Sequence, residues 1–155
     1  MPKDEPTVDE GVREMILLMP RLVARSKRMP VPEQLRDFAL TPRHLSLLAL
    51  LLYDGPSAVK DLADGLDVAS TTVSLMVGDL SRQGILQRHE DEQDRRRTIV
   101  TIADEHREAI ESWLSAGAGA WRTAFEPLKP AERALVINAL LTFERETMAA
   151  TKQPD

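Results

Sequence analysis

The chain of 155 residues contains no cysteine. Disulfides, thiolate metal sites and thiol-based redox sensing are therefore excluded. Long apolar runs are missing too. No stretch approaches the roughly 18 consecutive apolar residues of a membrane-spanning helix, so no membrane partner is expected. The opening segment, Met1-Pro2-Lys3-Asp4-Glu5-Pro6, is polar and acidic, the wrong character for a signal peptide. A cytoplasmic location is expected. Histidine is scarce: His44, His89 and His106 are the full set, and none stands at a metal-ligand spacing from another. Each is assigned to the surface or to the stretch around the arginine-rich turn rather than to a metal. No nucleophile motif, phosphate loop or Gly-rich dinucleotide signature is present. The expectation is a protein without enzymatic activity, metal or cofactor. Positive charge is also short. The net charge of −5 argues against indiscriminate nucleic-acid binding.

What is present begins with enough apolar residues, 43%, to build a core. The length fits one compact domain, or a domain with dimerisation arms. The most informative stretch is 57–102. A helix is expected from about Ser57 to Gly65, with Ser57 as its cap and Val59, Leu62 and Ala63 on one face. Gly65 and Asp67 mark a tight turn, with Leu66 and Val68 pointing inward. A second helix is expected from about Ser70 to Gln83. Val73, Met76, Val77 and Leu80 form its apolar stripe, and Gly84 ends it in the left-handed conformation. Ser70, Thr71, Thr72 and Ser74 populate its opposite, N-terminal face. Next comes the polar stretch Gln87 to Gln93, then Asp94-Arg95-Arg96-Arg97, then the alternating, β-prone Thr98-Ile99-Val100-Thr101-Ile102. A polar tip between two short strand candidates is a hairpin signal.

Each piece has a plain alternative. Hydroxyl residues at a helix start usually cap it, and an exposed arginine run is usually a solvated tip. The order helix, tight turn, helix, glycine, strand, arginine-rich turn, strand is far more specific than its parts. It is the order of a winged helix-turn-helix, a DNA-reading arrangement. In that reading Ser70, Thr71, Thr72 and Ser74 meet base edges and phosphates. Arg96 enters a minor groove, where a narrow groove concentrates negative potential. Asp94 orients the Arg96 guanidinium by a charge-assisted hydrogen bond. Arg95 and Lys60 are assigned to phosphates. Arg97 is ambiguous, because it begins the returning strand.

The stretch from Leu40 to Ile102 resembles the multiple antibiotic resistance regulator (MarR) family of bacterial transcription factors. The residues that carry the resemblance are Leu40-Thr41-Pro42, Asp61-Leu62-Ala63, Leu66-Asp67-Val68, Thr72-Val73-Ser74, Leu80 through Gly84-Ile85-Leu86, and Arg88. The closest match is Asp91-Glu92-Gln93-Asp94-Arg95-Arg96 running into Val100. The resemblance implies a mostly helical dimer. Its DNA-binding lobe lies in mid-chain, and helices from both ends build the interface. It also implies a pocket between the dimer helices and the lobe that takes a small aromatic ligand; Arg43, His44, Tyr53 and Trp113 are the candidates to line it. The chain departs from the family pattern at several positions. Leu75 and Asp79 stand where basic residues are common, and Gly78 sits mid-helix. Ala69 replaces a hydroxyl cap, Ile102-Ala103 a Leu-Thr pair, and His106 a glycine.

Charge near the reading elements is balanced. From Ala69 to Val100, Arg82, Arg88, Arg95, Arg96 and Arg97 face Asp79, Glu90, Asp91, Glu92 and Asp94. The positive excess lies earlier, in Arg21, Arg25, Lys27, Arg28, Arg36 and Arg43. Binding must then rest on placed arginines and be salt-sensitive.

Toward the ends, Val8 to Lys27 is a helix candidate with Met15, Leu18 and Leu22 on one face, broken by Met29-Pro30-Val31-Pro32. Glu33 to Phe38 is a candidate helical turn. Thr41 caps and Pro42 opens a leucine-rich helix that Tyr53-Asp54-Gly55-Pro56 ends. Asp104 to Phe125 reads as a long helix with a small-residue stretch, Ser115 to Ala120, that marks a kink or a close helix crossing. A final helix runs from Pro130 to about Ala149. The fold class expected is mainly α with a small β-wing: a winged helix-turn-helix lobe at 40–103, an N-terminal dimerisation helix and connector at 1–39, and C-terminal dimerisation helices at 104–155. The function expected is a homodimeric transcription regulator, a repressor released by a small ligand, on a pseudo-palindromic double-stranded DNA operator. The alternative is a winged-helix protein-interaction module that has lost DNA binding, which the balanced charge of residues 69–100 favours.

Overall fold

The computed structural model describes residues 5–151. The first helix, α1 (Val8–Ser26), starts at a capping box: the Thr7 hydroxyl accepts from the Glu10 amide, and the Glu10 carboxylate accepts from the Thr7 amide at 2.8 Å. The Thr7 amide, and the Thr7 hydroxyl that also donates to this carboxylate, hold the Glu10 carboxyl below its ordinary pKa. No residue of α1 is buried. After the Met29–Pro32 break, a single 3-10 turn (Glu33–Leu35) places Leu35 in the core. It is shorter than the Glu33–Phe38 turn expected.

Helix α2 (Pro42–Asp54) begins as the sequence implies, with Thr41 as cap and Pro42 in its first turn. His44 completes the cap: its Nδ1 accepts from the Thr41 amide at 3.3 Å. His44 is therefore not a surface residue but is 7% exposed. His106 is half-buried and packs edge-on against Phe38, with ring centroids 5.1 Å apart. Leu47, Leu48 and Leu51 of α2 are buried.

The next element corrects the expectation of a helix from Ser57. Ser57 and Ala58 form a two-residue strand, β1, and α3 spans Val59–Leu66. Ser57 is not the cap; its hydroxyl donates to the Gly55 carbonyl at 2.9 Å. Ala58 holds the cap position without a side-chain bond. The turn after α3 uses Asp67 in the left-handed region, φ 51°. The Val68 amide reaches back to the Ala63 carbonyl at 3.1 Å, closing the helix end.

Helix α4 (Ser70–Arg82) buries the expected stripe of Val73, Met76, Val77 and Leu80. Gly84 takes φ 77°, and the Ile85 amide bonds the Leu80 carbonyl at 2.9 Å. A side chain with a Cβ resists that backbone conformation. The chain then forms β2 (Leu86–Glu90) and β3 (Thr98–Ile102). They pair antiparallel from Leu86↔Ile102 to Glu90↔Thr98. β1 pairs with the other edge of β3, Ser57↔Val100 and Ala58↔Ile99, giving the order β1-β3-β2. The result is a mainly helical winged helix-turn-helix with a small three-stranded sheet. One core joins Leu35, Leu47, Leu48, Leu51, Leu62, Val73, Val77, Leu80, Ile85, Val100, Ile102 and Ile110.

Helix α5 (Asp104–Phe125) runs unbroken through Ser115 to Ala120. By contacts the chain divides into two units, Met1–Leu114 and Ser115–Asp155. In the first, Ile110 is buried, with Trp113 and Leu114 packed against the core. In the second, α6 (Pro130–Thr151) follows a turn in which Arg133 donates to the Phe125 carbonyl at 2.9 Å. Trp121 and Phe125 pack ring to ring at 5.3 Å. Leu135, Ile137, Leu140, Leu141 and Phe143 of α6 are exposed. Among the described residues no helix is long and apolar enough to cross a membrane.

Candidate nucleic-acid interface

The buried stripe of α4 decides which residues it shows to solvent. Ser70, Thr71, Ser74 and Leu75 are exposed. Thr72 departs from the expected grouping because it is half-buried. It shares the i, i+4 row of Met76, a core residue, so it lies at the edge of the buried stripe. Farther along the helix, Asp79 and Arg82 pair with each other. Gly78 leaves the surface bare between them and Leu75. A Cβ built there would stand 3.5 Å from Arg82 Nη1 and 3.5 Å from Arg88 Nη2. Arg88 of β2 thus lies against α4 at that gap.

The wing turn is built from aspartates. The Asp91 carboxylate accepts from the Gln93 amide at 2.9 Å, and the Asp94 carboxylate from the Arg96 amide at 3.0 Å. Short acidic side chains that bond backbone two residues on are a common turn device. Asp94 therefore does not orient the Arg96 guanidinium as expected; it holds the backbone on which Arg96 is mounted. The Arg97 amide donates to the Asp94 carbonyl at 2.8 Å, and the Asp91 amide to the Arg97 carbonyl at 3.0 Å, closing the hairpin. Arg95 and Arg96 project from this turn and are exposed.

Arg97 is no longer ambiguous. Its Nη2 lies 2.9 Å from Asp61 Oδ2 on α3, and its Nη1 4.0 Å from Asp91 Oδ2. It ties the base of the wing to the first helix of the helix-turn-helix. Beside this tie lies a cleft of ≈ 650 Å³ lined in part by Lys60, Asp61, Asp64, Arg96, Arg97 and Thr98. Lys60 and Arg96, proposed separately from the sequence, line one cleft.

The ion pairs show which charges are engaged; they leave Arg88, Arg95 and Arg96 against Glu90, Glu92 and Asp94, so the balance of residues 69–100 stands. Asp79 occupies Arg82, and Asp61 and Asp91 occupy Arg97. Lys60, Arg88, Arg95 and Arg96 have no ion-pair partner among the described residues. These four cations remain available to phosphate.

The fold and this geometry can be set against known proteins. Residues 40–98 match the model of the MarR family. Over that stretch the chain is similar to the MarR family. The HTH-type transcriptional repressor CsqR of Escherichia coli is 35% identical over 78 residues, 50% of this chain and 30% of that protein. This chain thus matches under a third of that relative's length. Among solved structures, NadR in complex with 4-hydroxyphenylacetate superposes with a TM-score of 0.61 at 19% identity, over 92% of this chain and 96% of that one. The S. aureus MepR–DNA complex superposes with a TM-score of 0.56 at 21% identity, over 92% and 99%. At these identities the likenesses show the fold alone, a winged helix-turn-helix flanked by helices.

The ligand-pocket candidates do not line the cleft described above. Arg43 is exposed, and the His44 ring is committed to its helix cap. Tyr53 is 68% exposed and lies nine residues, about 13 Å of helix rise, from His44. Trp113 is half-buried on α5. Among the described residues no cluster of three or more His, Cys, Asp or Glu is arranged to hold a metal ion. Two functional features escaped the sequence: the Asp61–Arg97 tie, whose partners are 36 residues apart, and Arg88 against Gly78. Opposite charges at that separation leave no local pattern to read.

Proposed function

We propose that this protein is a DNA-binding transcriptional regulator that acts as a homodimer in the cytoplasm, a repressor released by a small aromatic ligand. The observation that carries the reading is the joint presentation of two surfaces by one lobe. One is the neutral, hydroxyl-bearing N-terminal face of α4. The other is the pair Arg95 and Arg96 on a turn braced by Asp91 and Asp94. A helix of this size fits a major groove, and arginines beside it suit a minor groove or phosphates. Lys60 supplies a further phosphate contact. The MepR relative was solved with DNA, which supports the assignment of α4 and the wing to a duplex.

Dimerisation is supported by unpartnered apolar surface. Val12, Met15, Ile16, Leu17, Leu22 and Val23 of α1 are exposed, as are Leu135, Ile137, Leu140, Leu141 and Phe143 of α6. Monomers rarely leave apolar surface on that scale in water, and a second copy is the simplest cover. A dimer reads two half-sites, so a pseudo-palindromic operator follows. Release by an aromatic ligand draws on the NadR relative, solved with 4-hydroxyphenylacetate; Arg43, His44, Tyr53 and Trp113 remain the proposed contacts.

The test is electrophoretic mobility of the gene's own upstream DNA, with sedimentation at micromolar protein. Retardation that weakens as salt rises, with a dimer in solution, is expected. A dimer that retards no DNA at any salt concentration refutes the regulator reading and leaves the protein-interaction module. A monomer removes the pseudo-palindrome.

A further inference from the structure

Leu75 is the outward large apolar residue of α4, and the function above does not use it. It is 72% exposed, on a helix whose other large apolar residues, Val73, Met76, Val77 and Leu80, are all buried. The buried stripe fixes the helix's rotation, so Leu75 cannot turn inward. Thr71 lies one turn before it on the same row, Ser74 beside it, and the bare Gly78 after it. The surroundings are hydroxyls, a glycine and the self-paired Asp79 and Arg82.

That setting does not suit a protein partner. A docking patch needs contiguous apolar surface of a few hundred Å², and Leu75 is a single apolar point in a polar field. It does suit the edge of an A·T pair. In the major groove thymine offers an apolar C5-methyl group beside its O4 acceptor, and adenine offers N7 as a further acceptor. A G·C pair offers no methyl. One leucine flanked by two hydroxyl donors is complementary to that pattern. A lysine or arginine at the same place would instead seek guanine or phosphate.

The geometry points to Leu75 as a specificity-determining residue that reads the methyl group of one thymine in each half-site. The inference rests on the DNA-binding reading of α4. Burying a methyl group supplies about 0.8 kcal/mol, equivalent to about fourfold in affinity.

The experiment uses the full chain. A duplex is selected from a random-sequence pool, and each thymine in it is replaced in turn by deoxyuridine, which removes only the methyl. Affinities of wild type and Leu75→Ala are measured for every duplex. One thymine per half-site is expected at which deoxyuridine weakens wild type about fourfold and Leu75→Ala no further. Equal deoxyuridine penalties in both proteins, or none in wild type, overturn the proposal while leaving DNA binding intact. A change of oligomeric state in Leu75→Ala, read by sedimentation, assigns the residue to a protein interface and also overturns it. If the pool yields no bound duplex, the DNA-binding reading fails and takes the proposal with it. Leu75→Met, which keeps an apolar tip, is expected to retain the deoxyuridine penalty.

Discussion

Replacing Gly78 by alanine should make the protein more stable. Glycine inside a helix is less favourable than alanine by about 0.5–1 kcal/mol, because it surrenders more backbone freedom on folding. Gly78 lies in the interior of α4 and is not among the positive-φ glycines, Gly55 and Gly84, so its conformation does not require a glycine. The added Cβ meets only Arg82 Nη1 and Arg88 Nη2, each at 3.5 Å, which is ordinary contact with the ends of two flexible side chains. Nothing offsets the gain, and about 0.5–1 kcal/mol should appear in the melt. For a chain of this size that corresponds to roughly 1–4 °C in Tm. Gly65→Ala is the internal control. Gly65 is also helical, but its Cβ would stand 3.0 Å from Leu50 Cδ1 and 3.2 Å from Cδ2. Leu50 packs against the core, so its displacement should cancel the propensity gain. Thermal and urea melts of both variants at one protein concentration, needed because dimerisation is linked to stability, make the comparison. A lower Tm for Gly78→Ala, or an equal rise for Gly65→Ala, refutes the reasoning.

Three further outcomes are expected. Asp61→Ala, Arg97→Ala and the double variant should give a coupling of about 0.2–1 kcal/mol in urea melts, because the pair is half-exposed; the coupling should shrink in high salt, and a value of zero would remove the tie. Arg96→Ala should weaken operator binding by about 1–3 kcal/mol, and Lys60→Ala by less, in titrations at one salt concentration; an unchanged affinity for Arg96→Ala removes the wing from the mechanism. Glu10 has its folded pKa depressed by the Thr7 amide and hydroxyl, so its cap is complete above the ordinary carboxylate range and is lost as pH falls through the depressed value. Protection factors at the first turn of α1, corrected for intrinsic exchange, should therefore fall on acidification, and Glu10→Ala should show that fall at neutral pH.

The parts of the fold that were legible in the sequence are those with a local cause. The stripe of Val73, Met76, Val77 and Leu80 announces α4 by its spacing. Gly84 marks the helix end because few other residues accept its φ. Thr41-Pro42 announces α2 by cap chemistry. What stayed hidden depends on partners far along the chain. Ser57 and Ala58 are too few to show a period, and Ser57 is a good helix cap in isolation; pairing with Val100 and Ile99 overrides that preference. The same holds for Arg97, whose role is set by Asp61 on another element. Asp94 shows a finer limit. Its spacing from Arg96 is readable, but two donors on Arg96 compete for the carboxylate, and the tight turn brings the amide into reach. Thr72 falls at the edge of the buried stripe because Ser70, Thr71, Thr72 and Ser74 span more than one turn and cannot all face outward at 3.6 residues per turn.

The sheet order also governs when the site comes into being. β3 is the central strand, and the partner on one of its edges, β1, lies before both helices of the helix-turn-helix. The hairpin of β2 and β3 is short, and two strands alone are marginally stable in water. Closing the long loop from Ser57 to Val100 must be met by contacts that only the packed lobe supplies. The wing should thus assemble late, after α3 and α4 have docked. A nascent or partly folded chain would lack the braced arginine turn until α3 and α4 had packed.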